Sequence, residues 1–296
     1  MPELPEVETV KRGLEPLLLG RRIKAISLRR ENLRFPFPEG FAARLVGAKV
    51  EALRRRAKYI LIDFDNGLTL IAHLGMTGRF TAFNGKGTSN LGEFYFKTGA
   101  KETAEGPHDH VVFDLDNGVK LIYSDPRRFG MMDLTETAEL EDHRLLKGIG
   151  VEPLGNELST QYLISRFKGK SAPLKAALLD QRIIAGLGNI YVCEALHRAG
   201  LKPQRKAGSL VKAKSHDPRL DSLVRHIRDI LNEAIAAGGS TLQDFASTRG
   251  EQGSYQQRFS VYDREGEPCL KPGCTGTIKR IVQSGRSSFY CPVCQK

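Results

Sequence analysis

The chain opens on apolar residues at helical spacing. Val7, Val10, Leu14, Leu17 and Leu18 share one face and Gly20 offers a stop, which predicts a helix from residue 5 to about 19. From residue 22 to about 134 the period changes. Short apolar runs at 58–64, 68–73, 111–115 and 119–123 are separated by Asp-Asn-Gly turns, the pattern of a sandwich or barrel of short antiparallel strands. Residues 84–107, rich in Gly, Thr and Lys and without sustained periodicity, read as a long surface loop. Beyond residue 151 the texture is helical, with segments at 160–167, 173–181, 190–199 and 219–237, the last halted by Gly238-Gly239. Gly186-Leu-Gly-Asn189 parts the second of these from the third. A polar stretch, 241–257, leads to a cysteine-rich tail, and no internal repeat or low-complexity tract interrupts the pattern.

At 296 residues, 40% of them hydrophobic, the chain has material for two domains and a small appendage. No apolar run reaches the length of a membrane span, and the N-terminus lacks the zones of a signal peptide, so the cytoplasm is the expected compartment. A net charge of +11 points to a polyanionic partner. Of five cysteines, Cys193 stands apart and four crowd the tail as Cys269-x4-Cys274 and Cys291-x2-Cys294. Two cysteine pairs joined by a hairpin supply four thiolates for one tetrahedral Zn²⁺, and a zinc cross-link suits a segment too short for a core. A redox or iron–sulfur site is the other reading of such pairs. The predicted hairpin runs through 277–283 and 287–290 with its turn at Ser284-Gly285-Arg286. Arg286 there either faces a bound backbone or is a solvated turn residue.

Other residues carry candidate chemistry. Removal of Met1 leaves Pro2 with a free secondary amine, able to attack a sugar aldehyde carbon and form an iminium. An α-amine has a reference pKa of about 8, so part of it is unprotonated near neutrality. Glu3 and Glu6 are nearby proton carriers. The simpler reading is a proline that opens the first helix. Lys58 is either a gatekeeper at a strand end or a catalytic ammonium. The Gly186–Asn189 turn, following Lys168, Lys170, Lys175 and Arg182, is either a phosphate cradle or a plain interhelical turn. Met76, between glycines, and Arg127 with Phe129, in a loop bounded by Pro126 and Gly130, supply an arginine and apolar wedges of the kind that pry a base from a stack; ordinary core packing is the alternative for Met76 and Phe129.

Together these motifs resemble one family, the bacterial formamidopyrimidine-DNA glycosylases, also called 8-oxoguanine DNA glycosylases/AP lyases. The resemblance spans essentially the whole chain. It rests on 2–8 (PELPEVE), 55–59 (RRAKY), 73–78 (HLGMTG), 108–110 (HDH), 125–130 (DPRRFG), 186–191 (GLGNIY) and the four-cysteine tail. It implies an α+β fold: a leading helix with an antiparallel β-sandwich (2–135), a helical helix–two-turn–helix domain (150–257) and a zinc-finger β-hairpin (260–296), with DNA across a basic cleft. It implies Pro2 as nucleophile at C1′, Glu3 as acid/base with Glu6 in support, and Lys58 in DNA contact and lyase proton transfers. Met76, Arg127 and Phe129 would fill the space of the extruded nucleotide, Arg127 facing the orphaned cytosine. His108, Lys170, Asn189 and Arg286 would hold phosphates, with Arg286 also a proton donor in δ-elimination, and 241–257 would close over the everted base. The implied partner is double-stranded DNA holding an oxidised base, the protein acts as a monomer, and one structural zinc on Cys269, Cys274, Cys291 and Cys294 is the sole cofactor.

Two features depart from the family's pattern: four residues where two usually separate the first cysteine pair, and a long 84–107 stretch. Lys170 is assigned by its place in the basic run before Pro173. A sister group of endonuclease VIII type shares Pro2-Glu3 and the finger but removes oxidised pyrimidines; Leu4, Met76 and the Arg127/Phe129 loop resemble the purine-directed branch more closely. A non-enzymatic zinc-ribbon regulator would have no need of a free Pro2 amine, so the retention or loss of Met1 in the intact mass separates it from the enzyme.

Overall fold

A computed structural model describes residues 2–84, 87–91, 106–240 and 254–296, with 84 and 87–91 described by backbone alone. The chain divides into two units, residues 1–147 with 237–254, and 148–236 with 255–296.

In the first unit, helix α1 (Leu4–Leu18) begins at Glu3 as N-cap with Pro5 in its first turn, and ends where Leu19 N–H returns to the Glu15 carbonyl at 2.9 Å. Its apolar stripe of Val7, Val10, Leu14 and Leu18 enters the core between two antiparallel sheets. One sheet has the order β1 (Ile23–Leu28), β7 (Asp109–Leu115), β8 (Lys120–Ser124), β5 (Arg79–Asn84), β6 (Gly87–Leu91). The other runs β2 (Val50–Arg56), β3 (Tyr59–Phe64), β4 (Leu68–His73), β9 (Met131–Glu136). The period of two is visible in which residues each strand sends into the core: Ile60, Ile62 and Phe64 of β3 meet Val111, Phe113 and Leu115 of β7 there. A short helix, α2 (Phe41–Leu45), plugs Phe41 and Leu45 into the same core. The 84–107 stretch is not all loop, since Gly87–Leu91 forms β6 by pairing with β5; residues 92–105 lie outside the described residues. Most of the polar stretch 241–257 also lies outside them, while Tyr255–Arg258 forms a 3₁₀ turn.

In the second unit, α3 (Thr160–Phe167), α4 (Leu174–Leu179), α5 (Asn189–Arg198) and α6 (Arg219–Ala236) pack around an apolar interior. Ser159 caps α3 by accepting Tyr162 N–H at 3.1 Å. Between α4 and α5 the Gln181 side chain secures the turn, its Oε1 accepting Gly186 N–H and its Nε2 donating to the Leu187 carbonyl, both at 2.9 Å. The tail forms the hairpin β10 (Lys279–Gln283) and β11 (Arg286–Tyr290). Its two-residue turn is Ser284-Gly285, with φ of 49° and 73°. Arg286 is therefore the first residue of β11, paired with Gln283, and not a turn residue: two consecutive positive-φ positions complete the reversal before it.

Candidate functional site

The start of α1 is built around carboxylates. Pro2, Glu3 and Glu6 are all buried. Glu6 Oε2 accepts the Glu3 backbone N–H at 2.9 Å, the return half of a capping box. Its other oxygen accepts the Ser240 N–H at 2.8 Å and hydroxyl at 3.1 Å. Glu6 thus acts here as a fixed acceptor that ties the first turn of α1 to the residue at which 241–253 departs. Two residues further, Glu8 accepts Arg55 Nε at 3.0 Å, and Arg55 Nη1 donates to the Ala57 carbonyl at 2.9 Å. Burial raises the Glu8 pKa, but Arg12 and Arg55 outweigh it and hold the carboxyl below its usual range. The same contacts bring the β2–β3 turn onto α1. Lys58 sits in that turn, directly after Ala57 with its φ of 53°, and is only 6% exposed. A lysine so enclosed is not a solvated edge residue.

His73 faces Tyr59 across the β3–β4 ladder, with ring centroids 5.0 Å apart. Burial, then the charges of Lys58 and Arg34, lower its pKa to about 4. Its Nδ1 accepts Gly75 N–H at 2.9 Å, so the ring is neutral and its proton lies on Nε2. Sequence reasoning misses this donor beside Lys58, although it heads the 73–78 motif.

The two loops that carry Met76 and the Arg127–Phe129 pair are bound together. Met76 is half-buried in the turn after β4, whereas Arg127 and Phe129 are exposed, with the guanidinium carbon 4.9 Å from the Phe129 ring centroid. Asp125, fully buried, joins the loops: its carboxylate accepts the Thr77 hydroxyl and, at 2.8 Å, the Gly130 N–H. Thr77 in turn accepts Arg127 N–H at 3.1 Å. The backbones touch, since a Cβ on Gly75 (φ 64°) would stand 2.3 Å from Gly130 N. Exposed His108 is tied in by its carbonyl, which accepts Asp125 N–H at 3.0 Å. Asp125 has no role readable from its motif: Gly130 lies within that motif, but Thr77 is 48 residues away and only the fold brings it in.

In the second unit, Arg286 is exposed and its neighbour Ser287 is held from below. The Ser287 carbonyl accepts Lys175 Nζ at 2.8 Å and Asn189 Nδ2 at 3.0 Å. Lys175, 1% exposed, is a strut beneath β11 rather than part of a surface basic run. Asn189 contributes its amide to the same strut. Lys170 is half-buried at the end of α3, its carbonyl accepting Gly208 N–H at 2.8 Å.

Cys269, Cys274, Cys291 and Cys294 bring all four Sγ atoms within 4.8 Å of one another. Cys269 and Cys294 are 3.8 Å apart and Cys274 and Cys291 3.6 Å, against a tetrahedral edge of about 3.8 Å for Zn–S bonds of about 2.3 Å. The donor set fits zinc. The four-residue spacing of the first pair is absorbed by a surface loop, in which Cys274 N–H returns to the Lys271 carbonyl at 3.0 Å and Leu270 is exposed.

Comparison with known proteins agrees with this arrangement. Three family models match: the formamidopyrimidine-DNA glycosylase N-terminal domain over residues 1–132, the formamidopyrimidine-DNA glycosylase H2TH domain over 149–246, and the zinc finger found in FPG and IleRS over 266–296. A formamidopyrimidine-DNA glycosylase of Methylobacterium sp. (strain 4-46) is 57% identical over 297 residues, covering 100% of this chain and 99% of the relative. The crystal structure of the MutM (Fpg) protein of Thermus thermophilus superposes with a TM-score of 0.81 at 36% identity, over 99% of this chain and 98% of that one. The Lactococcus lactis Fpg, solved in complex with DNA containing N7-benzyl-Fapy-dG, gives 0.82 at 31% identity over the full length of both chains. With both domains and the finger matched in order, the chain belongs to the formamidopyrimidine-DNA glycosylase family.

Proposed function

We propose that this DNA glycosylase excises oxidised purines, 8-oxoguanine and formamidopyrimidines, from duplex DNA and then cleaves the strand as an AP lyase, with Pro2 as the nucleophile. The observation that carries the reading is the start of α1: a proline at position 2, buried and followed by Glu3 in a carboxylate-held helix start, within a chain of this family.

Once Met1 is removed, the Pro2 nitrogen lone pair attacks C1′ and the bond to the base breaks. The base leaves with a proton, and the sugar ring opens to a Pro2–C1′ iminium. Glu3 carries the proton to the ring oxygen, and Lys58 serves the later transfers. Loss of a C2′ proton expels the 3′ phosphate (β-elimination), and a second elimination, with Arg286 as donor, expels the 5′ phosphate. Met76, Arg127 and Phe129, on loops joined through Asp125, occupy the space of the extruded nucleotide. His108, Lys170, Asn189 and Arg286 take phosphates, and the cations Lys170 and Arg286 make the affinity salt-dependent. The zinc shapes the finger and takes no chemical step, because four thiolates fill its coordination. The partner is double-stranded DNA with an oxidised base, bound by one protein copy.

Borohydride trapping on a duplex with one 8-oxoguanine opposite cytosine tests the reading. A covalent adduct mapping to Pro2, absent in Pro2→Gly, is the expected result. An adduct on Lys58 would displace the nucleophile, and binding without adduct or cleavage would sink the enzyme reading. An oxidised pyrimidine in the same position, if cut faster, would favour the endonuclease VIII-type activity.

A further inference from the structure

Helix α5 holds the finger at several points along its length. At its first residue, Asn189 supports the Ser287 carbonyl. In its middle, the fully buried Glu194 carboxylate accepts three backbone N–H groups, from Ser260, Val261 and Tyr262, at 2.9, 3.0 and 2.8 Å, and so fixes the chain leading into the finger. Just past its end, Gly200 accepts Lys296 N–H at 3.0 Å, while Gln295 spans Cys291 N–H and the Leu201 carbonyl, each at 2.8 Å. Each of these contacts has a backbone group as one partner. A further contact of α5 is different.

His197, in the last turn of α5, points at a metal-ligand sulfur. Its Nε2 is 3.4 Å from Cys269 Sγ, both residues are buried, and no hydrogen-bond partner reaches Nδ1 among the described residues. A thiolate only accepts, so the contact requires the proton on Nε2. Zinc with four thiolates carries two net negative charges in a poorly solvated place. Each N–H donated to sulfur spreads that charge and opposes the protonation through which a thiolate lets go of its metal. Backbone supplies such a donor to Cys274, where Gly276 N–H lies 3.4 Å from Sγ. Cys269 begins the longer, four-residue loop of the first knuckle; besides the Lys271 backbone N–H it has a side-chain donor, which comes from the helical domain.

We infer that His197 is an outer-sphere partner of the zinc site, donating Nε2–H to the Cys269 thiolate and thereby retaining the metal in a knuckle with an enlarged loop. Metal retention is then set jointly by the finger and by the helix beneath it. Nothing in this step depends on DNA, on Pro2 or on the lesion.

The test is zinc release from the full-length protein to excess 4-(2-pyridylazo)resorcinol. His197→Leu, which keeps bulk and loses the donor, should release zinc at least ~10-fold faster than wild type, in line with outer-shell substitutions at other sites. His197→Gln, whose amide reaches a similar position, should stay within about threefold of wild type. Equal rates for His197→Leu and wild type would overturn the proposal, and so would equally fast release from both variants, which would assign the effect to ring packing. Long-range ¹H–¹⁵N spectra of the unaltered protein decide the matter if His197→Leu does not fold: a proton on Nε2 coupled to substituted ¹¹³Cd supports the contact, and a proton on Nδ1 refutes it.

Discussion

The wedge loops of the sandwich and the arginine of the finger are both exposed, yet they are held by different means. Met76, Arg127 and Phe129 rise from a double sheet with an apolar core, and a single buried carboxylate, Asp125, fixes the loops that carry them. Arg286 rises from a two-stranded hairpin on which Lys279, Arg280 and Val282 are exposed. There, position comes from a metal cross-link at one end and from Lys175, Asn189, Glu194 and His197 beneath. A core tolerates the loss of one contact by relaxing; a cross-linked hairpin fails as a whole.

Stripping the zinc should break this comparison most forcefully. Structural zinc is worth about 10–16 kcal/mol in isolated fingers, so its removal should unfold 266–296 while the sandwich stays folded. Hydrogen exchange resolved by peptide would show full exchange through β10 and β11 with β3 and β4 protected, and strand cleavage should vanish. Uniform exchange across both units would mean that the finger also stabilises the sandwich. Asp125→Ala is the corresponding blow to the first unit. It strands the Thr77 hydroxyl and the Gly130 N–H, at a cost of about 3 kcal/mol, and frees the wedge loops. Thermal unfolding should register the loss, and 2-aminopurine placed beside the lesion should report slower eversion. Gly75→Ala should act in the same direction, because its Cβ meets backbone and its φ is positive. Glu194→Gln, which turns one acceptor oxygen into a donor facing N–H groups, should cost about 2 kcal/mol and raise exchange at 260–262 without disturbing the wedge loops.

The smallest effect is one of pH. His73 titrates near 4 in the fold against about 6.5 when unfolded. Between those values the unfolded chain binds the extra proton, so stability is unaffected above pH 7 and falls as pH drops from about 6.5 toward 4. The loss should be about 1 kcal/mol between pH 7.5 and 6, and His73→Gln should remove that part of the slope in urea titrations.

Periodicity delivers the elements whose apolar residues repeat cleanly. The segments 68–73 and 160–167 match their strand and helix to the residue, and the first helix does so to within one. The pattern is weaker where charge interrupts it, as in β2 with Arg54, Arg55 and Arg56. It fails at β6, whose Gly-Thr-Ser-Asn-Leu has no face of its own and is a strand only because β5 pairs with it. The candidate site divides the same way. Spacing is enough to group the thiolates, and family motifs mark the wedge loops. The buried polar groups that position them, Asp125, Lys175, Glu194 and His197, give no local signal, because each has a partner far along the chain. A Glu and a His inside an otherwise apolar helix face, flanking Leu196, are the one available hint.

The finger's two ends also have different evolutionary freedom. Its first knuckle carries two residues beyond the usual spacing, and the sulfurs still converge because the excess bulges outward through exposed Leu270. At the other end the Ser284-Gly285 reversal fixes the register, and a single inserted residue would turn Arg286 to the opposite face of the ribbon. Residues added beside Cys269 and Cys274 therefore still leave the four sulfurs converged, whereas an insertion or deletion at the tip would be purged.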